Sequence, residues 1–267
     1  MSEREGEAES ESAVTFEVVE GEVSNGKKVK RRGVYLLPNL FTTAALFSGY
    51  YAILASMSHF FEKASIAVFI AMVLDGLDGR VARLTNTQSK FGAQYDSLSD
   101  LIAFGVAPSI LIYNWGLVDL GKAGWMASFI FAACAALRLA RFNVEEESSD
   151  KRFFTGLASP SAAAIITAFV WFSHDMAFQW VGVKYLGLLL TILIGGLMVS
   201  NVKYYSFKKI DFKGRVPFAA IVFVMIVFSI IFIDPPKVLF LVFFAYALSG
   251  PLWALKRWVK INRNKAV

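Results

Sequence analysis

The sequence predicts an all-α fold: a polytopic membrane helix bundle with about eight transmembrane helices and both termini cytoplasmic. Three observations predict it. Hydrophobic residues fill 56% of the 267 positions, 25 of them Phe, while charged residues make up only 18%. Eight stretches of about 17–23 residues are nearly free of charge, and about 20 apolar residues cross a hydrocarbon core ~30 Å thick. The Lys and Arg residues, finally, crowd into alternate connections. Helices with a wet face could not absorb so much Phe, Leu, Ile and Val, so a soluble fold is excluded. A disordered chain, a disulfide scaffold (Cys134 is the one cysteine) and a nucleic-acid module are excluded with it.

Residues 1–26 are rich in Glu and Ser, with little to bury, and read as disordered. They hold no apolar run, so they are not a signal peptide. The run Lys27-Lys28-Val29-Lys30-Arg31-Arg32 completes a cytoplasmic tail over 1–32 and either anchors the inner interface or holds anionic headgroups. The membrane domain follows over 33–258, with spans at about 36–57, 64–84, 97–117, 123–143, 159–178, 185–202, 216–233 and 238–255. Ser159-Pro160 opens the fifth span as N-cap and first-turn proline. Pro108 interrupts the third span and predicts a kink beside a cavity. Trp115, Trp180, Trp253 and Trp258 mark span ends, as an aromatic belt would. A basic cytoplasmic tail, 259–267, ends the chain.

Orientation follows from the cations. With the N-terminus inside, the inner segments hold 23 of the 27 Lys and Arg, and the outer connections keep Lys63, Lys122, Lys184 and Lys237. This asymmetry obeys the positive-inside rule and accounts for the formal charge of +6 without a nucleic-acid partner. His59 and His174 fall in outer loops and read as solvated.

Most of the 21 acidic residues lie in the N-terminal tail and the loops, but Asp75, Asp78, Asp96 and Asp100 lie at the facing inner ends of spans two and three. An ionised group at membrane depth costs about 2.5–3.5 kcal/mol even on a lenient scale, which makes these acids functional candidates. At roughly 100° per residue, Asp75 and Asp78 stand about 60° apart on one helix, and Asp96 and Asp100 about 40° apart on the next. Antiparallel helices let the two pairs converge. Four converging carboxylates repel one another, so protons or divalent cations must neutralise them. Oxygen ligands without His or Cys suit Mg²⁺ or Mn²⁺, and two such ions held by shared carboxylates can clamp a pyrophosphate. Gly79, Ala82 and Gly92 give a bulky ligand access to the backbone, and Arg83 offers a forked donor to phosphate.

Residues 75–100 read D-G-L-D-G-R-V-A-R, eight residues, then G-A-Q-Y-D-S-L-S-D. This resembles the CDP-alcohol phosphotransferase signature, D-x-x-D-G-x-x-A-R-(eight)-G-x-x-x-D-x-x-x-D. Asp75, Asp78, Gly79, Ala82, Arg83, Gly92, Asp96 and Asp100 match all eight fixed positions. The resemblance implies two metal ions on the four Asp, a CDP-linked lipid donor, displacement of CMP by an alcohol, and a homodimer. It also assigns nucleotide-lipid contacts to Asn39, Asp78, Gly79, Ala82, Arg83 and Gly92.

The flanking runs P-N-L-F-T, D-L-I-A-F-G-V-A-P-S, R-L-A-R-F-N and F-T-G-L-A-S-P-S resemble the integral-membrane, serine-using branch of that family. Ala158 stands where that pattern often has Pro. The branch implies CDP-diacylglycerol and L-serine as substrates, phosphatidylserine and CMP as products, and a bacterial inner membrane with the site facing the cytoplasm. Arg138, Arg141 and Asn143, at the inner end of span four, suit a serine carboxylate, although both Arg also suit an interfacial anchor. Asp100 is the candidate general base for the serine hydroxyl. The alternatives are another family member using glycerol 3-phosphate, inositol phosphate or choline, and a cation transporter. A transporter would spread its acids through the bilayer rather than gather them at one mouth.

Overall fold

Runs too apolar for a wet face become helices that bury or expose apolar surface on every side. The computed structural model describes residues 23–24, 27–28, 36–85, 89–145, 153–176, 181–205 and 218–265. The helices in chain order are α1 (Leu36–Met57), α2 (Phe61–Leu84), α3 (Lys90–Asp100), α4 (Ala107–Trp115), α5 (Gly121–Glu145), α6 (Ser159–Asp175), α7 (Val181–Val199), α8 (Phe218–Ile233) and α9 (Pro235–Lys265). A π-helical turn, Leu101–Val106, fuses α3 to α4 into one rod, and a 3₁₀ turn, Leu117–Leu120, leads into α5. The rods follow the expected spans in order. Strands β1 (Val23–Ser24) and β2 (Lys27–Lys28) form a short antiparallel pair. The remainder of the acidic tail and of the Lys27–Arg32 run lies outside the described residues.

Among the described residues, five helical segments are long and apolar enough to cross a membrane: Pro38–Met57, Phe91–Trp115, Leu117–Val144, Gly182–Val199 and Pro235–Ala254. The chain is an integral membrane protein. The other three rods fall short for identifiable reasons. Helix α2 carries Asp75, Asp78, Arg80 and Arg83 in its last turns. Helices α6 and α8 contain 17 and 16 residues, lengths of about 24–26 Å at ~1.5 Å per residue.

Three local features differ from the sequence reading. The third span begins at Lys90 rather than near 97, because Ser89 is an N-cap: its backbone is extended (φ −130°, ψ 153°) and the Gly92 N–H donates to its Oγ at 2.9 Å. The irregularity expected at Pro108 takes the form of the π-helical turn just before it, where proline has no N–H to give the ladder. The last helix runs on to Lys265, through Pro251 and the basic residues beyond it. His59 and His174 are both exposed, His174 in the last turn of α6 rather than in a loop, and each ring meets Phe61 edge to face with centroids 5.6 and 5.5 Å apart.

Helix α6 occupies the middle of the bundle, in contact with α2, α4 and α9, and every residue from Ala162 to Val170 is buried. Helix α1 packs along α2 and against the α3–α4 rod. Small residues bring these backbones close, as is usual where lipid supplies no hydrophobic drive between helices. A Cβ on Gly49 would fall 2.8 Å from the Cα of Ala103, so α1 rests directly on the π-helical turn that follows Asp100. The Ser48 hydroxyl ties α1 to α2 by donating to the Ala67 carbonyl at 2.7 Å.

Two connections are joined by an antiparallel ribbon, β3 (Phe153–Thr155) with β4 (Lys203–Tyr205), in the register Phe153–Tyr205, Phe154–Tyr204 and Thr155–Lys203. Burial and neighbouring Tyr246 push the Tyr204 phenol up to about 12, so it remains a donor, and it gives its proton to the Ala247 carbonyl at 3.1 Å. Its ring takes the space that Gly250 leaves, where a Cβ would lie 2.4 Å away.

Candidate active site

Asp75 and Asp78 stand in the last turns of α2, Asp96 and Asp100 on α3, and the two helices bring them together. One oxygen from each of Asp75, Asp78 and Asp96 lies within 4.8 Å of the other two. Asp100 joins this triad through Asp75, whose carboxyl group is within hydrogen-bonding reach, and Asp78 stands in the same relation to Asp96. Two ionised carboxylates have no proton to share, so each pair needs a proton or a cation between them. Among the described residues this is the one cluster of acids and ring or thiol ligands with metal-binding spacing. Its all-oxygen donor set fits a hard divalent cation.

A cavity of about 410 Å³ opens on the triad, bounded by α1, α2 and α3 with Phe142 of α5. That volume lies in the range of small-molecule sites. Its walls carry Asn39, Asp75, Asp78, Gly79, Ala82, Arg83, Gly92 and Asp96, eight of the residues nominated from sequence. Gly79 faces open space, with no atom within 4 Å of where its Cβ would stand. Gly92 works differently. A Cβ there would meet Ser89 Oγ at 3.1 Å and Asn39 Oδ1 at 3.4 Å, so its bareness lets the Asn39 amide approach α3. Arg83 is exposed at the rim, with its Nε donating to the Gly79 carbonyl at 2.8 Å.

The remaining nominated residues are not on the cavity wall. Asp100 sits beside Asp75, and Arg138 is buried with its guanidinium carbon 5.4 Å from the centre of the Phe142 ring, one side chain behind the wall. Arg141 turns toward the end of α7, where its Nη1 donates to the Val199 carbonyl at 3.1 Å and to Asn201 Oδ1 at 3.4 Å. A cation there meets carbonyls that the helix itself leaves unsatisfied. Asn143 exchanges hydrogen bonds with Ser97, the neighbour of Asp96, at 3.1 and 3.2 Å. The sequence reading did not single out Ser89, Ser97, Ser99 or Phe142, and it quoted Thr42 without giving it a role. Thr42 carried one available signal: it follows Pro38 by four residues and so shares its helix face.

Together these features define a class: an integral membrane helical protein with a polar cavity whose carboxylates are spaced for a divalent cation. The chain matches the CDP-alcohol phosphatidyltransferase family over residues 35–202, more than half its length, and belongs to that family. The CDP-diacylglycerol–serine O-phosphatidyltransferase of Helicobacter pylori is 40% identical over 235 residues, covering 87% of this chain and 98% of that protein. The protein of the same name from Bacillus subtilis is 33% identical over 175 residues, 65% of this chain and 92% of its own. That of Methanocaldococcus jannaschii is 39% identical over 137 residues, 51% of this chain and 61% of its own.

Proposed function

We propose that this protein is a CDP-diacylglycerol–serine O-phosphatidyltransferase, which transfers the phosphatidyl group to the hydroxyl of L-serine and releases CMP. The observation that carries the reading is the convergence of three signature carboxylates, Asp75, Asp78 and Asp96, on one cavity, with the fourth, Asp100, beside Asp75. The relatives of that name support the choice of serine, since one of them is covered over 98% of its length.

Asp75, Asp78 and Asp96, with Asp100, would hold two Mg²⁺ or Mn²⁺ ions, and bound cations supply positive charge to the pyrophosphate and to the leaving CMP. The protein's own side chains do the rest. Asn39 and Gly92 receive the nucleotide, Gly79 and Ala82 leave it room, and Arg83 meets a phosphate. Asp100 accepts the serine hydroxyl proton as the new oxygen–phosphorus bond forms and the bond to CMP breaks. Arg138 takes the serine carboxylate, while Arg141 ties the same end of α5 to α7 and Asn143 ties it to Ser97 on α3. The distribution of Lys and Arg supports a site facing the cytoplasm, with the 1–32 and 259–267 tails on the same side, and the family resemblance supports a bacterial inner membrane. The family resemblance supports a homodimer.

Purified protein given CDP-diacylglycerol, Mn²⁺ and a mixture of labelled serine, glycerol 3-phosphate, inositol phosphate and choline is expected to form phosphatidylserine and CMP. A different labelled lipid would overturn the acceptor. Absence of CMP release with every alcohol would overturn the transferase reading and favour a cation transporter. Arg138→Gln is expected to raise the serine KM roughly 10- to 100-fold, the value of hydrogen bonds to a charged group, and to leave the lipid KM unchanged. An unchanged serine KM would make Arg138 an anchor.

A further inference from the structure

Asp78 is buried, and from outside the acid cluster it is held by the Gly79 backbone and by a side chain of α1. The Thr42 hydroxyl, on α1, donates to Asp78 Oδ2 at 2.8 Å. The same hydroxyl lies 3.1 Å from the Pro38 carbonyl, but it has a single proton, and the shorter contact to a carboxylate is the stronger one. Thr42 is itself fixed from the other side, since the Ser99 hydroxyl donates to the Thr42 carbonyl at 3.1 Å. Thr42, Asp78 and Ser99 are 4%, 4% and 2% exposed, and Thr42 and Asp78 meet at the wall of the cavity. Ser99 stands on α3 between Asp96 and Asp100. The chain Ser99–Thr42–Asp78 therefore runs from one acid-bearing helix, through α1, to the other.

We infer that Thr42 is a positioning residue for Asp78, braced by Ser99, and that this relay sets the affinity of the acid cluster for its divalent cation. Crowded carboxylates left to themselves turn away from one another. A hydroxyl that takes Oδ2 as its acceptor, together with the Gly79 backbone N–H, holds the Asp78 carboxylate against such a turn. Thr suits the task because its branched Cβ restricts χ1. Partners of this kind, one shell outside the ligands, are worth roughly 10- to 100-fold in metal affinity. The inference deepens the proposed function and rests on its cation site.

The test is Mn²⁺ binding to the full chain in nanodiscs without substrates, followed by the electron paramagnetic resonance signal of free Mn²⁺, alongside thermal unfolding of the metal-free protein. Thr42→Val keeps the shape and removes the proton. It is expected to weaken Mn²⁺ binding roughly 10- to 100-fold with a metal-free melting temperature near that of the parent, and Thr42→Ser is expected to restore binding to within a few-fold. In the transfer assay the Mn²⁺ midpoint should rise by the same factor as the dissociation constant. Unchanged affinity in Thr42→Val, or equal weakening in Thr42→Ser, overturns the inference. Should Thr42→Val fail to accumulate, Ser99→Ala takes its place, with a several-fold weakening expected and unchanged affinity again overturning the inference. A parent protein that binds no Mn²⁺ would instead overturn the cation site itself.

Discussion

Replacing Asp75 by Asn is expected to abolish transfer and, in the metal-free protein, to raise the melting temperature. The two effects have one cause. Asp75 belongs to the oxygen triad and also faces Asp100, so it has acidic neighbours on both sides. A cation turns that crowding into binding energy; without one, the crowding is repulsion within a poorly solvated mouth. An Asn amide removes one negative charge, and its N–H₂ can donate to the Asp100 carboxylate. About 1 kcal/mol regained in this way would shift the melting temperature of a chain this size by roughly 2–4 °C. Activity should fall about 10³-fold or more, since the cations supply several kcal/mol of charge stabilisation and each ~1.36 kcal/mol is tenfold in rate. Saturating Mn²⁺ should reverse the stability order, because it binds the parent's folded state more tightly than the variant's. Calorimetry with and without Mn²⁺, beside a CMP-release assay, reads all three effects. A variant less stable in both conditions would make Asp75 a structural residue, and an active one would remove it from the cation site.

The acid cluster was legible in the sequence because acids at membrane depth are costly and because a spacing of three and four residues puts each pair on one helix face. The apolar spans were legible for a similar reason. What hydropathy could not show was the start of α3, whose first turn reads Lys90-Phe91-Gly92-Ala93-Gln94 and looks like a loop until Ser89 is seen to cap it. The same blindness hid the end of α9, since Lys and Arg continue a helix as readily as Leu does. Arg138 and Arg141 share a helix end in the sequence, yet the fold turns one toward Phe142 and the other toward the end of α7. Which neighbour a helical face meets is decided by packing, and local spacing carries no record of it. The Thr42–Asp78 bond joins residues 36 positions apart, so no local pattern could reveal it.

Asp100→Asn is expected to remove transfer while the lipid donor still binds. Asp100 is set behind the cavity wall, within hydrogen-bonding reach of Asp75, and it is not part of the three-oxygen cluster. The donor draws on Asn39, Gly79, Ala82, Arg83 and Gly92, which line the cavity, and the exchange leaves all of them in place. What Asn lacks is a basic oxygen that can take up a proton. Removing a general base costs roughly 10²- to 10⁴-fold in rate, so kcat should fall in that range with little change in the dissociation constant for CDP-diacylglycerol. Comparison with Asp75→Asn separates the two roles. If Asp100 serves chiefly as base, its variant keeps most of the Mn²⁺ affinity that Asp75→Asn loses. If Mn²⁺ binding falls as far as in Asp75→Asn, the loss of transfer is a loss of cations, and the part Asp100 plays is that of ligand rather than base. Full activity would remove Asp100 from both roles.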